Sequence, residues 1–371
     1  MGYTEEQRRL LWLSAAEISA DRLRRLLEQR GSACALWEDY GKGIPLSANA
    51  EANRTLARYH SEAALDAICA RIEQKGVHPL FEKDEAYPAL LRCIDDPPYV
   101  VYAMGDVSAL SRPSVGVVGT RYPSAYGRNM ARSLGFGLAQ AGLCVVSGMA
   151  RGVDGCAHEG ALDAEGTTVA VLGSGVNVPY PFEHTALYHR IIDGGGAVIS
   201  EYPLDAEPLT YHFPNRNRVI SGLSHAVIFV EGRIKSGGMI TVDAALKQGR
   251  DVFAVPGMAG QSVAEGPNRI IRDGARLITS VSDVLEDMGL QPGQDLTVES
   301  RPLPPEGDNP TQKAILQALL REPMGMDALC GETGFSADSL MAELSVMEIM
   351  GQVRRDSGNI FALTIRLTPK E

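Results

Sequence analysis

The pattern of apolar and polar positions divides the chain into three regions. In residues 1–72, apolar residues recur at helical spacing, as in RRLLWL and DRLRRLLEQRG, and no strand pattern is evident. This spacing predicts a small N-terminal helical domain.

The middle region, residues 77–288, alternates short apolar runs with segments of helix length. The runs are VGVVG, LCVVSG, TTVAVLG, GAVISE, HAVIFVE, RDVFAVPG and ARLIT. Near-continuous apolar strands that alternate with helices are typical of a parallel sheet covered on both faces. We therefore predict a doubly wound, mostly parallel α/β domain. The segment from His78 to Asp106 is predicted to extend it by one strand and a loop.

The C-terminal part begins with a change of composition. Residues 289–310 are rich in proline and glycine without periodicity, which predicts a linker. Residues 311–371 follow with three helical segments and a small hairpin, the order of a winged helix. Its third helix carries Asp338, Glu343 and Glu348 and no basic residue, so we expect it to contact protein rather than a DNA groove.

Composition and charge limit the classes of function. The 371 residues are too many for one ordinary core, and the net charge of −11 argues against a generally basic protein that coats nucleic acid. No apolar run has a membrane-spanning length, and the N-terminus lacks the order of a signal peptide, so we expect a cytoplasmic protein. The six cysteines lie far apart without a C-x-x-C pair, so neither a disulfide framework nor a metal site is expected.

Candidate chemistry lies after the strands, because ligands of a doubly wound sheet bind beyond the carboxyl ends of its strands. Glycine-rich turns that open helices can direct backbone N–H groups at an anion, and Ser147-Gly148 and Gly237-Gly238 are the best examples. Basic residues follow the same strands: Arg121, Arg151, Arg216, Arg218, Arg233 and Lys235. This combination predicts an edge that binds several phosphates.

The segment HFPNRNRVISG contains the closest grouping of candidate binding residues. Its two arginines flank Asn217 at a predicted helix start after Pro214, and Phe213 could offer an apolar face to a base. In the alternative interpretation, the arginines bind carbonyl groups and the acids Glu201 and Glu231, and so tie loops together. Asp154 could act as a general base, although an aspartate at this place more often caps a helix or pairs with an arginine.

Cofactor and nucleophile motifs are missing. The chain has no G-x-G-x-x-G dinucleotide fingerprint and no G-x-x-x-x-G-K-[ST] loop, so neither a dinucleotide cofactor nor ATP hydrolysis is expected. It also has no G-x-S-x-G nucleophile elbow.

The ordered motifs GTRYPSAYG, SGMARGVDGCAHEGAL, SEYP, FPNRNRVISGLS, VEGRIKSGGMITVDAALKQGRDVFAVPG and GPNRIIRDGA resemble those of the DNA processing protein A (DprA, or Smf) family. The resemblance implies an extended Rossmann-like domain between an N-terminal domain of SAM or helix-hairpin-helix type and a winged helix. It also implies a non-catalytic, homodimeric protein that binds single-stranded DNA, protects incoming strands and loads the RecA recombinase during natural transformation.

Matched motif by motif, the resemblance implies DNA contacts by Arg121, Ser147, Gly148, Arg151, Gly152, Asp154, Arg216, Asn217, Arg218, Ser236, Gly237 and Thr241. The strand-end pattern adds Gly119, Thr120, Phe213 and Lys235. Two stretches depart from the family. Residues 17–20 read EISA where many relatives have a Gly-x-Gly hairpin, and residues 180–184 read YPFEH where the family often has YP-x-x-N.

Two alternatives remain open. SGGMITVDA resembles the PGG-x-GT-x-x-E turn of phosphoribohydrolases that act on nucleoside monophosphates, but Ile240 replaces its glycine and Asp243 its catalytic glutamate. The winged helix could instead make the protein a regulator that binds duplex DNA, and its acidic third helix argues against this.

Overall fold

The computed structural model describes residues 2–18, 20–47, 49–290, 296–298, 309–321, 323–350, 352–356, 360–363 and 367–369. Ser19 of the EISA stretch and most of the predicted linker therefore lie outside the described residues. The N-terminal region consists of helices, namely α1 (Glu5–Ala15), α2 (Ala20–Arg30), α3 (Ala33–Gly41), α4 (Ala50–Tyr59) and α5 (Glu62–Gln74). Thr4 and Gln7 form a capping box at the start of α1, and the buried Trp12 packs edge-on against Trp37.

The middle region forms a nine-stranded sheet. Its strands are β1 (His78–Phe81), β2 (Val100–Gly105), β3 (Ser114–Val118), β4 (Cys144–Ser147), β5 (Thr168–Val171), β6 (Ala197–Ser200), β7 (Ala226–Phe229), β8 (Asp251–Ala254) and β9 (Arg276–Leu277). They lie in the order β1-β2-β6-β5-β4-β3-β7-β8-β9, and all pairs from β6 to β9 are parallel. The predicted doubly wound, mostly parallel sheet is confirmed.

The extension before β3 differs from the prediction of one strand. It contains two strands, because the chain returns alongside β1 and pairs Phe81 with Val100. β2 then pairs antiparallel with β6, so that Tyr102 lies opposite Ser200. The N-terminal region is thereby joined to the sheet, and the hydroxyl of Tyr102 donates to Ser14 of α1.

Helices cover both faces of this sheet. They are α6 (Ala89–Arg92), α7 (Ala125–Gln140), α8 (Val153–Asp163), α9 (Thr185–Asp193), α10 (His212–Gly222), α11 (Gly237–Lys247), α12 (Glu265–Arg272) and α13 (Val281–Asp287). Val115 and Val117 of β3 pack toward α7 and α8, whereas Val118 packs toward α10 and α11. The sheet is therefore buried on both faces, which explains its near-continuous apolar strands.

The strand order reverses between β3 and β7. From β3 the chain proceeds through β4 and β5 to β6 on one side, and from β7 through β8 to β9 on the other. The helices that follow β3 and β7 therefore diverge to opposite faces and leave a crevice beyond the strand ends.

The C-terminal part contains α14 (Pro310–Arg321), β11 (Met324–Gly325), α15 (Met326–Thr333), α16 (Ala337–Ile349), β12 (Val353–Asp356) and β13 (Ile360–Leu363). This is the predicted order of three helices and a hairpin. A further strand, β10 (Leu296–Val298), lies within the range predicted as linker and pairs with β14 (Leu367–Pro369). On α16, Leu340 and Leu344 are buried, while Ile349 is 85% exposed.

The described part of the chain was also searched for membrane-spanning helices and for clusters of metal-binding side chains. None of its helices combines the length and the apolar character that crossing a bilayer requires. Within the same ranges, no group of three or more His, Cys, Asp or Glu side chains could hold a metal ion.

Two buried histidines couple the stability of this fold to pH. Nδ1 of His158 lies 2.7 Å from the hydroxyl oxygen of Thr168, and that hydroxyl donates to the carbonyl of Val145. Nδ1 therefore carries a hydrogen, while the buried Nε2 has no hydrogen-bond partner among the described residues. Burial lowers the pKa of His158 to about 3, and burial with the nearby Arg250 lowers the pKa of His225 to about 3.

We expect the free energy of unfolding to fall as the pH falls from about 6.5 toward 3, because the unfolded chain binds protons at histidines that stay neutral when folded. Each such histidine contributes a slope of up to about 1.4 kcal/mol per pH unit. Urea unfolding of wild type and His158→Gln at several pH values measures this slope. It should be shallower in His158→Gln and unchanged in His189→Gln, whose side chain is exposed. Equal slopes in all three proteins would contradict the assignment.

Candidate nucleic-acid interface

A pocket of about 540 Å³ lies in the crevice between the ends of β3 and β7. Of the predicted site residues, the structure places Gly119, Thr120, Arg121, Asp154, Phe213, Arg216, Asn217, Ser236, Gly237 and Thr241 in its lining. Gly148 and Arg151 line a smaller adjoining cavity, which shares Arg121, Phe213 and Arg216 with the pocket. Twelve of the sixteen predicted residues are thus brought to one edge of the sheet.

The outer wall of the pocket combines a cation with aromatic rings. The guanidinium carbon of Arg121 lies 5.3 Å from the ring centroid of Phe213, and the rings of Phe213 and Tyr180 are 5.4 Å apart. Arg121 is exposed and forms no ion pair with the residues that the structure describes. Such a wall can pair with a phosphate and stack against a base.

Arg216 forms the floor of the pocket and is almost fully buried. Its Nη1 donates to the carbonyl of Gly148 at 2.9 Å and to that of Val171. Burial lowers the pKa of this guanidinium to about 10, which leaves it charged at neutral pH. A β-carbon at residue 148 would lie 2.6 Å from Nη2 of Arg216, so this close packing requires glycine.

Asp154 lies beside Arg216 at the start of α8. Its Oδ2 accepts a hydrogen bond from the backbone N–H of Gly148 at 3.1 Å. Burial raises the pKa of Asp154, and the nearby charge of Arg216 opposes that shift. Asp154 is therefore a buried partner of Arg216 and of the loop at Gly148 rather than an exposed general base, and it does not cap α8, whose N-cap residue is Gly152.

The β3–α7 loop is held in place by Glu231, at the end of β7. The Glu231 carboxylate accepts hydrogen bonds from the backbone N–H of Ser124 at 2.8 Å and from its hydroxyl at 2.6 Å. The Glu231 carbonyl also accepts from the N–H of Thr120 at 2.7 Å. Glu231 therefore supports the segment that carries Arg121, instead of pairing with an arginine as the alternative interpretation held.

The N-terminus of α11 opens into the pocket. Ser236 is its N-cap residue but forms no side-chain cap, and its buried hydroxyl has no hydrogen-bond partner within the described part of the chain. Asn217 donates to the carbonyl of Gly237 at 3.1 Å and so joins α10 to this helix start. Uncapped N–H groups and the helix dipole make this end of the pocket suitable for an anion.

Four predicted residues lie outside both cavities. The hydroxyl of Ser147 donates to the carbonyl of Val117 at 2.6 Å, below the pocket. Gly152, with a φ of 82°, allows close approach of its backbone to Thr120. Lys235 is exposed beyond the lining residues.

Arg218, the fourth, points away from the pocket. Its guanidinium donates to Glu201 at 2.7 and 2.8 Å and to Asp96 at 2.6 Å. The alternative interpretation, in which arginines of the RNR segment bind carbonyls and acids, thus describes both Arg216 and Arg218 in the structure. Arg151 in the adjoining cavity also has an acidic partner, Glu183, which belongs to the YPFEH departure.

Other lining residues were not among the predicted site residues. Tyr180, Tyr122, Pro208 and Thr210 line the pocket from loops whose path depends on tertiary structure. The tyrosines could have been noticed as aromatic residues beside strand ends. Ile240 of the phosphoribohydrolase-like turn lines the pocket, whereas Asp243 is exposed and outside the lining.

Comparison with known proteins identifies relatives of this chain. The family model for DNA recombination-mediator protein A matches residues 78–289, and that for the DprA winged helix domain matches residues 299–359. Protein Smf of Escherichia coli is 41% identical over 225 residues, which are 61% of this chain and 60% of that protein. Protein Smf of Synechocystis is 36% identical over 319 residues, or 77% of this chain and 80% of that protein.

Two solved structures are also similar. DNA processing protein A from Streptococcus pneumoniae gives a TM-score of 0.60 at 31% identity, covering 77% of this chain and 99% of that one. DNA processing protein A from Helicobacter pylori, whose structure was described for its single-stranded DNA binding mode, gives 0.51 at 29% identity, covering 57% of this chain and 95% of that one. This chain, with its doubly wound sheet and C-terminal winged helix, therefore belongs to the DNA recombination-mediator protein A family.

Proposed function

We propose that this protein binds single-stranded DNA, without cutting it, along the pocket between β3 and β7. The observation that carries the proposal is the exposed Arg121 over the ring of Phe213, in the pocket that the uncapped N-terminus of α11 also lines. The arginine and the helix end suit phosphates, and the aromatic ring suits a base that is not held in a duplex.

The continuation of the pocket into a second cavity favours a polymer over a cofactor as the ligand. The pocket continues into the adjoining cavity through Arg121, Phe213 and Arg216, and Arg151 also lines that cavity. A dinucleotide cofactor instead requires one glycine-rich turn around one pyrophosphate, and that motif is absent here. A groove with several anion-binding points suits a nucleic acid backbone.

We further propose the wider role that the family resemblance implies. In it, the protein protects incoming single strands and loads the RecA recombinase during natural transformation and homologous recombination, acting in the cytoplasm as a homodimer. The domain division proposed with it is residues 1–72, 77–288 and 311–371, with a linker over 289–310. The relative from Helicobacter pylori, whose description names single-stranded DNA binding, supports the first step of this role.

A binding titration tests the proposal. Fluorescent single-stranded and duplex oligonucleotides of equal length are titrated with the full chain across a series of salt concentrations. We expect preference for the single strand and an affinity that falls steeply with salt, because counterions are released from the phosphates that the protein neutralises. Equal affinity for duplex, or no single-strand binding at low salt, would contradict the proposal.

The phosphoribohydrolase alternative gains no support from the geometry. Asp243, the acid at the position of the catalytic glutamate, is exposed and outside the pocket lining. Incubation with nucleoside monophosphates, followed by a search for free base, is the corresponding test. Turnover that Asp243→Asn abolishes would favour the enzyme over the DNA-binding protein.

A further inference from the structure

Glu17 lies in the turn between α1 and α2, where the N-terminal helices meet the start of α10. Its backbone φ is 50°, in the left-handed region that residues other than glycine rarely adopt. Its carboxylate Oε2 lies 3.2 Å from Nε2 of His212, whose side chain is fully buried. An unfavourable backbone conformation therefore brings a carboxylate of the N-terminal region to a buried imidazole of the sheet domain.

Both ring nitrogens of His212 face oxygen acceptors. Nδ1 lies 3.1 Å from the carbonyl oxygen of Gly173, and Nε2 faces the carboxylate of Glu17. A carbonyl and an ionised carboxylate can only accept, so the two contacts are both hydrogen bonds when the imidazole carries a hydrogen on each nitrogen. The ring also stacks on Tyr202, with centroids 3.7 Å apart, which fixes its plane.

The same contacts position the aromatic wall of the DNA pocket. Phe213 follows His212 at the start of α10, and its ring packs against Gly173, the residue whose carbonyl faces His212. The guanidinium of Arg121 in turn lies over the ring of Phe213. A shift of His212 would therefore be transmitted to Phe213 and to the cation that it supports.

Other ionisable groups around His212 are already engaged or neutral. They line a cavity of about 250 Å³ and comprise Glu17, Asp21, Asp96, Tyr99, Glu201, Tyr202, Tyr211 and Arg218. Arg218 binds both Asp96 and Glu201, and Asp21 pairs with Arg25 on the exposed face of α2. Burial raises the pKa of Tyr99, Tyr202 and Tyr211, which keeps these hydroxyls neutral near pH 7. Glu17 is thus the carboxylate in contact with the imidazole.

We infer that Glu17 is a positioning residue for the DNA pocket, acting through His212 on Phe213. The inference rests on the proposed single-strand binding. The N-terminal region then influences DNA affinity through this contact rather than by touching DNA. The contact with Glu17 needs a hydrogen on Nε2, and a second hydrogen on Nδ1 adds the bond to the carbonyl of Gly173.

Two substitutions at residue 17 separate this role from simple packing. Glu17→Ala removes the contact, and we expect single-strand affinity to fall about three- to tenfold, the range of one ordinary hydrogen bond. Glu17→Gln keeps an amide that can accept a hydrogen bond from Nε2 or donate one to it, so this variant should retain the affinity that Glu17→Ala loses. Asp21→Asn, the same change of charge within the same cavity, should behave like wild type.

A second readout does not need DNA. Imidazole resonances of histidine-labelled full-length protein, assigned with His212→Gln, should show a shift of the His212 signals in Glu17→Ala and none in Asp21→Asn. Failure of wild type to bind single strands would overturn the proposed function and this inference together. Normal binding by wild type with equal affinity in Glu17→Ala would overturn the inference alone.

Discussion

Arg216→Met is expected to lower the free energy of unfolding by about 3 kcal/mol, because it removes a buried cation and leaves its partners buried. The carbonyl groups of Gly148 and Val171 would lose their donor, and Asp154 would lose the nearest opposite charge. Methionine keeps most of the side-chain volume, so the loss reports polar interactions rather than a cavity. Urea unfolding at pH 7 measures it.

Two further variants test the cause of this loss. Adding Asp154→Asn to Arg216→Met should recover part of the stability, because the uncompensated carboxylate is then absent. Arg151→Ala, a change to an exposed arginine of the adjoining cavity, should leave the unfolding midpoint unchanged. A loss below about 1 kcal/mol in Arg216→Met would mean that water satisfies these groups and that the floor of the pocket is not a closed network.

Arg121→Ala is expected to weaken single-strand binding about tenfold at low salt and to leave stability unchanged. Arg121 is exposed and contacts the ring of Phe213, so its removal takes away one phosphate contact and one face of the aromatic wall. Loss of one phosphate contact should flatten the slope of log affinity against log salt by about 0.7 for a single strand. The same oligonucleotide titration across salt measures both quantities.

Arg112→Ala supplies the matched control. Arg112 is an exposed arginine next to the start of β3, at the opposite edge of the same sheet, and donates to Thr167. Arg112→Ala changes the net charge by the same amount as Arg121→Ala. It should reduce single-strand affinity slightly and leave the slope of log affinity against log salt nearly intact. If both variants alter the slope alike, the DNA follows the overall electrostatic field of the protein and not this pocket.

Much of the fold could be predicted because buried parallel strands need near-continuous apolar residues. Runs such as VGVVG and HAVIFVE therefore indicated β3 and β7, and placed Arg121 and Gly237 at one edge of the sheet. The strand pair before β3 was harder to predict. The same residues can form one strand followed by a loop or two antiparallel strands, and the two outcomes differ only in where the chain turns back.

The orientation of individual arginines could not be predicted. Arg121, Arg216 and Arg218 have the same chemistry in the sequence, yet one is exposed, one is buried against carbonyl groups and one pairs with acids. What separates them is the position of their partners, which lie up to 122 residues away for Arg218 and Asp96. The contact between Glu17 and His212, 195 residues apart, depends in the same way on how the N-terminal helices dock.

The two borders of the nine-stranded sheet affect how copies of this protein can associate. β1 contains Pro79, which has no N–H to offer a further strand, and β9 has only two residues. Neither border is a good template for β-augmentation by another chain. A homodimer would therefore form through side chains of helices and loops, and chains crowded together on one DNA strand would have little tendency to fuse into cross-β aggregates.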